Sequence, residues 1–267
     1  DILLDDGRTQ DGLRVIFKKR TGVGHYVRSD TFYAVGDLER HPQQLLNLVA
    51  TAFGCWLRRE GYVALHASAV SAGGLAIVFA GNSGSGKSSA ALTMMNQGFD
   101  FVSNDRVFLR RTDGLVEVVG VPKWPRVNPG TLMANPKLRG ILAADRHDVY
   151  SRLSPEELWE LEHKHDVFVT TVYGKNRVSL KAFLISLYVL TWRHGRGPAD
   201  AEAVPGGDVG RLLTPMVKTE VYDVRSGDLP NEDELSALLA GHSVVHVSGG
   251  VDMARLLEIA EGKAPVA

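Results

Sequence analysis

The sequence predicts an α/β protein: a mixed β-sheet flanked by helices, with a small β-rich segment at its N-terminus. Three observations carry this. From about residue 43 onward, strand patterns and helical patterns interleave. The apolar run Leu75–Ala80 stops at a glycine-rich loop, and a helical pattern follows at once. Residues 12–36 alternate in short bursts with no helical period.

Taken in order, "LRVIFKK", "HYVRS" and "TFYAVG" read as two or three antiparallel strands. Pro42 suits the first turn of a helix, and Leu45, Leu46, Val49, Phe53, Trp56 and Leu57 recur at helical spacing up to Gly61. "YVALHASAV" and "LAIVFA" read as strands joined by a turn at "SAGG". "KSSAALTMMNQG" reads as a helix stopped by Gly98, "FDFVSNDRVFLRR" as one strand, and "LVEVVGVP" as another after the Asp113–Gly114 turn. "SPEELWELEHK" carries a capping-box pattern, with Ser154 at the cap and Glu157 three residues on. "RVSLKAFLISLYVLTW" reads as one or two buried strands, and "GRGPADAEAVPGGDVG" as an exposed linker-like loop. Two closing helices, "NEDELSALLAG" and "VDMARLLEIAEG", flank the short strand "HSVVHVSG".

The bulk composition narrows the classes of function. The chain has 267 residues and a net charge of -1, from 30 basic and 31 acidic side chains. That balance offers no general attraction to nucleic acid or to an anionic membrane. No apolar run reaches the roughly eighteen residues of a membrane span. The single cysteine, Cys55, excludes an internal disulfide and sits in an apolar stretch that reads as core. Together with the lack of a signal-peptide pattern, this gives a cytoplasmic expectation.

The chemistry begins at "GNSGSGKS", Gly81 to Ser88, which fits G-x-x-x-x-G-K-[ST] between a buried strand and a helix. Successive backbone N–H groups of such a loop point inward at phosphate oxygens, and the helix N-terminus adds partial positive charge. The nucleotide cradle is therefore Gly81, Asn82, Ser83, Gly84, Ser85, Gly86, Lys87, Ser88 and Ser89. Lys87 reaches the β- and γ-phosphates, and the Ser88 hydroxyl is a ligand for Mg²⁺. A second magnesium ligand is needed at a neighbouring strand end, and Asp105 in "FDFVSNDRV" supplies it. Arg106 beside it reads as a phosphate-neutralising or merely surface cation. The N-K-x-D and D-x-x-G patterns of regulatory GTPases are absent from the sequence.

Around these residues the chain resembles the HPr serine kinase/phosphorylase family and its kinase-related offshoots, which share a core fold with phosphoenolpyruvate carboxykinase. The resemblance covers about Tyr62 to Leu109. It rests on "LHASAVSAGGLAIVFAGNSGSGKSS", with His66 fifteen residues before Gly81, and on "NQGFDFVSNDRV". It implies a catalytic domain over residues 41–267 and a small β-rich segment over 1–40 packed on it. It also implies an ATP- and Mg²⁺-dependent kinase acting on a hydroxyl of a protein serine or a small molecule. His66, Lys87, Asn104 and Asp105 are then the catalytic positions, with Ser88 and Asp105 holding the metal. Assembly as a homo-oligomer is a further implication.

The family usually carries two consecutive aspartates where this chain has Asn104–Asp105. The first is expected to be the general base, and an amide cannot take that role. His66 is the substitute candidate. The alternative is a nucleotide-binding sensor or weak ATPase whose transfer chemistry has lapsed at Asn104. Three other stretches invite readings of their own. "EHKHD" offers His163 and His165 as a metal site or a solvated helix end. "YGKNR" offers Lys175 and Arg177 as a second phosphate or acceptor clamp, or a turn. "PKWPRVNPG" offers Trp124 and Arg126 as an acceptor-site lining or a rigid loop.

Overall fold

The computed structural model describes residues 4–8, 13–28, 31–193, 195–218, 229–263 and 266. These fall into two compact units, Asp1–Tyr62 with Thr219–Leu229, and Val63–Lys218 with Pro230–Ala267.

The first unit is an antiparallel sheet and one helix. Strands β1 (Leu4–Arg8), β2 (Arg14–Lys18), β3 (Val23–Arg28) and β4 (Thr31–Val35) pair in sequence order, and α1 (Pro42–Arg59) follows. Cys55 packs with Ile16 and Val27 in the core, as its apolar surroundings suggest. This compact unit extends through Tyr62. The helix also presents a different face from the one its spacing suggests. Gln44, Leu48, Thr51, Gly54, Cys55 and Leu57 are buried, while Leu45, Leu46, Val49 and Trp56 are exposed.

The second unit holds a nine-stranded mixed sheet with helices on both faces. Its elements open with β5 (Val63–Leu65), β6 (Ala67–Ala72), β7 (Leu75–Gly81), α2 (Lys87–Asn96), β8 (Asp100–Ser103), β9 (Val107–Thr112) and β10 (Leu115–Gly120). A helical excursion follows, comprising β11 (Arg126–Val127), α3 (Pro129–Ala134), α4 (Ala144–Tyr150), α5 (Pro155–Glu160), β12 (His165–Asp166) and α6 (Val169–Val172). The chain returns through β13 (Lys181–Leu190), β14 (Ala199–Ala203), α7 (Val209–Leu213), α8 (Glu232–Leu238), β15 (Ser243–Gly249) and α9 (Met253–Ala260). The main strand order is β5-β9-β10-β13-β7-β6-β8, with β15 beside β13 and β14 beside β15. Strand β13 runs parallel to both β7 and β15, so three strands end at one edge of the sheet.

One face buries Ile77, Phe79, Tyr188, Leu190, Val245 and Val247 with residues of α2 and α9. The other buries Val78, Ala80, Leu187, Val189 and Val244 with residues of α7 and α8. The alternation along β7 and β13 is the period of two expected for a strand covered on both sides.

Several local signals act as read. Ser154 and Glu157 form a reciprocal capping box, as do Asn231 and Glu234. The Asp113–Gly114 turn has φ of 51° and 84°, the left-handed pair that joins β9 to β10. Two readings need correction. "FDFVSNDRVFLRR" is two strands, broken between Ser103 and Val107. "GRGPADAEAVPGGDVG" is no simple loop: it contains β14, whose Ala201 is buried, and the start of α7. Among the described residues, no helix is long and apolar enough to cross a membrane.

Candidate active site

Strand β7 ends at Gly81, and Asn82–Gly86 carries the chain to α2. Gly81, Gly84 and Gly86 have φ of 155°, 81° and 80°. A Cβ at Gly81 would lie 2.6 Å from the Leu190 carbonyl oxygen and 2.6 Å from Ser85 Oγ, so the strand end accepts only glycine. Asn82, Ser83 and Gly84 form the exposed crest. Ser85 is buried, and its Oγ has no hydrogen-bond partner among the described residues. Trp192, just beyond β13, donates its indole N–H to the Ser85 carbonyl at 2.8 Å and braces the loop from behind.

Lys87 is only 6% exposed, and its Nζ donates to the Asn82 carbonyl at 2.6 Å. Burial lowers its pKa to about 8. The Asp105 carboxylate opposes the shift and the Lys218 ammonium adds to it. Ser88 follows, half-buried in the first turn of α2. The Ser89 hydroxyl shares a 2.7 Å hydrogen bond with Thr131 Oγ1 on α3.

His66 sits between β5 and β6. Its N–H donates to the Met216 carbonyl at 2.7 Å, and its own carbonyl accepts from Gly81 N–H at 3.3 Å. The histidine backbone is thus bonded to the first residue of the glycine loop. Its Nε2 lies 3.3 Å from Asp105 Oδ1. The hydrogen bond to Asp105 raises the His66 pKa, but burial and the Lys87 and Lys218 ammonium groups outweigh it, and the net shift is downward.

Asp105 has φ of 73°, a left-handed conformation uncommon outside glycine, though aspartate and asparagine adopt it more readily than other residues. The turn that holds it is pinned: Ser103 Oγ donates to the Arg106 carbonyl and accepts from Val121 N–H. Burial would raise the Asp105 pKa. The His66 hydrogen bond and the Lys218 ammonium overcome it and hold the carboxyl well below the usual carboxylate range. Asn104 faces Ser68, whose hydroxyl donates to Oδ1 at 2.9 Å. The residues singled out from the sequence therefore meet at one strand edge.

Two participants have no local signature in the sequence. Trp192 is one. Lys218 is the other, with its Nζ 2.9 Å from Asp105 Oδ1. Segment 214–218 reaches the site because it pairs with the β5 edge: Lys218 N–H donates to the Ala64 carbonyl, and Leu65 and Val217 form an isolated bridge. Only the long-range pairing reveals that neighbourhood.

Other stretches go elsewhere. Arg177 binds Asp100 at 2.8 Å and the carbonyls of Met95 and Phe99, so it staples the C-terminal end of α2, the end away from the glycine loop. The clamp reading of "YGKNR" fails for Arg177 on that account. Arg126 pairs with Asp166 at 3.1 Å, and Trp124 is partly buried against Phe101. His163 and His165 both hydrogen-bond the buried Tyr150 hydroxyl, at 2.6 and 3.2 Å. No third histidine, cysteine or carboxylate joins them among the described residues.

No protein-family model matches this chain, and no curated protein matches it. Among solved structures, the chain is similar to the Hpr(Ser) kinase/phosphatase from Coxiella burnetii at 9% sequence identity, with a TM-score of 0.38. That similarity spans 74% of this chain and 85% of the other.

Proposed function

We propose that this chain is an ATP- and Mg²⁺-dependent phosphotransferase that moves the γ-phosphoryl group to a hydroxyl of a protein or a small molecule. One observation carries the reading. The glycine loop, His66 and Asp105 are joined by direct contacts, Gly81 N–H to the His66 carbonyl and His66 Nε2 to Asp105 Oδ1. A phosphate cradle beside a carboxylate able to hold Mg²⁺ and an imidazole able to take a proton suits phosphoryl transfer.

The donor set suits Mg²⁺. The Ser88 hydroxyl and the Asp105 carboxylate are hard oxygen ligands, and this ion takes one or two such groups beside phosphate and water. When bound, Mg²⁺ would neutralise charge on the phosphates undergoing transfer. The loop N–H groups and Lys87 grip the nucleotide. His66 gives its Nε2 hydrogen to Asp105, which leaves Nδ1 to accept the proton of the incoming hydroxyl. Asn104 orients that hydroxyl, as an amide can without taking its proton.

A test is transfer of labelled γ-phosphate from ATP into a lysate, with Lys87→Ala as control. A labelled protein or metabolite that vanishes with Lys87→Ala supports the transferase. Tight nucleotide binding with no labelled product favours the second reading, a nucleotide sensor or weak ATPase. Asn104 motivates that alternative, since its Oδ1 is already engaged by Ser68 and it cannot serve as a base. Asn104→Asp separates the two: strong acceleration marks a protein whose transfer has lapsed, and a neutral or harmful effect marks a working site.

A further inference from the structure

The geometry points to Thr191 as a phosphoacceptor with its own base, modified by the nucleotide bound at the glycine loop of this protein; this rests on the transferase reading above. Thr191 lies just past the end of β13, one residue after Leu190, which registers with Gly81 across the parallel pair. Its Oγ1 is 2.7 Å from His246 Nε2 on β15. His246 Nδ1 is in turn 3.0 Å from Glu202 Oε1 on β14. Strand register creates this line of groups: Glu202 is the antiparallel partner of His246, and Thr191 N–H bonds the adjacent Val247 carbonyl.

The carboxylate settles the roles. Ionised Glu202 only accepts, so Nδ1 carries the hydrogen. In the neutral imidazole Nε2 is then an acceptor, and the single Thr191 hydroxyl hydrogen is shared between it at 2.7 Å and the Val247 carbonyl at 3.3 Å, the imidazole being the nearer. A hydroxyl held on an imidazole that a carboxylate orients is the general arrangement of an activated oxygen nucleophile.

The surroundings supply the anion's partners. Thr191, Arg193, Arg196 and Gly249 line a cavity of about 320 Å³. Thr191 is exposed. Neither guanidinium forms an ion pair with another described residue. A hydrogen-bonded strand contact alone requires neither a cavity nor two arginines at its rim. A phosphoryl group on Thr191 would use both.

The step balances. Thr191 Oγ1 forms a bond to the γ-phosphorus, the bond from that phosphorus to the β–γ bridging oxygen breaks, ADP leaves, and the hydroxyl proton passes to His246 Nε2. Glu202 acts as a positioning residue through His246.

The test uses the whole chain with ATP and Mg²⁺, followed by peptide mass spectrometry and nucleotide affinity. We expect phosphothreonine at Thr191, absent from Thr191→Ala and from Lys87→Ala. His246→Gln should slow modification by about 10²–10⁴-fold while nucleotide affinity, the check on folding, stays unchanged. Glu202→Gln should slow it as well, and Glu202→Asp should recover part of the rate, which a merely structural role would not show. Labelling of an acceptor in the lysate assay above, with Thr191 unmodified, overturns this inference and leaves the transferase standing; ATP turnover with no labelled product overturns it and favours the weak ATPase. No labelled product in either assay, with wild type no different from Lys87→Ala, overturns both.

Discussion

Replacing Lys87 by methionine separates the stability of the glycine loop from its use. Lys87 is nearly fully buried, and its pKa falls from 10.5 to about 8. At about 1.4 kcal/mol per pH unit, holding its charge in place costs roughly 3 kcal/mol. The hydrogen bond to the Asn82 carbonyl returns about 1.5–3 kcal/mol of that. Lys87→Met removes both and keeps a straight side chain of similar length. In EDTA and without nucleotide, the variant should be as stable as wild type or up to about 2 kcal/mol more stable. That range corresponds to a Tm rise of up to several degrees, at ~2–4 °C per kcal/mol for a domain of this size. Urea unfolding followed by tryptophan fluorescence reads the change, because Trp124, Trp159 and Trp192 lie in the same unit. The pH dependence has a definite sign. A lysine whose folded pKa is depressed binds fewer protons folded than unfolded between pH 8 and 10.5. Wild type should therefore gain on the variant as pH rises through that window, and the advantage of the variant should be complete only below it. Saturating ATP at about a hundred times Kd should stabilise wild type by about 2.7 kcal/mol and leave Lys87→Met unmoved. A variant that loses more than about 1 kcal/mol in EDTA would refute the reasoning, since the ammonium would then be holding the loop together.

Trp192→Phe removes the donor to the buried Ser85 carbonyl, and in denaturation and binding titrations should cost about 1–3 kcal/mol and weaken nucleotide binding. Asp105→Gly and Asp105→Ala should both abolish Mg²⁺-dependent turnover. The glycine variant should nonetheless be the more stable of the two by about 1 kcal/mol, because only glycine takes φ of 73° without strain. In the first unit, burial lowers the pKa of the fully buried His25 to about 4, with the Lys18 ammonium adding to the shift and the Gln44 carbonyl opposing it. A depressed histidine stabilises fully above about pH 6.5 and loses that contribution as pH falls through 4. Urea titrations between pH 7 and 4 should show a loss of about 3 kcal/mol that His25→Leu flattens.

The glycine loop was legible because its chemistry is contiguous: strand, loop, lysine and helix follow one another within fifteen residues. Asp105 was legible from its place after an apolar strand, and His66 only through the family resemblance. Lys218 and Trp192 were not, because strand pairing and a strap along β5 bring them in from more than a hundred residues away. The network of Thr191, His246 and Glu202 was hidden for the same reason: it exists only once β13, β14 and β15 are in register. Local composition also misled. Prolines and glycines around "ADAEA" disguised a five-residue strand that β15 stabilises by pairing. Of the stripe Leu45, Leu46, Val49, Phe53, Trp56 and Leu57, only Leu57 is buried, and α1 buries Leu48 and Cys55 beside it. Arg177 looked available to a phosphate, yet Asp100 and two carbonyls claim it.

Several departures from local preference meet at one place. Over most of the second unit, caps, hairpin turns and strand alternation agree with the sequence. At the C-terminal edge of β7 they do not. Gly81 is hemmed in by backbone, Lys87 is desolvated, Ser85 Oγ has no hydrogen-bond partner among the described residues, and Asp105 is held in a left-handed turn. Each costs stability, of order 1–3 kcal/mol for a strained or unsatisfied group. Sequences agree with their folds nearly everywhere, and disagreement collects where function requires it. Strain is not confined to this edge: Gly120, Gly210 and Gly249 are hemmed in by backbone as well, and His25 is desolvated in the first unit. What sets the β7 edge apart is that its strained groups lie along one chain of contacts, from Gly81 through His66 to Asp105 and Lys218, where the proposed transfer would draw on them.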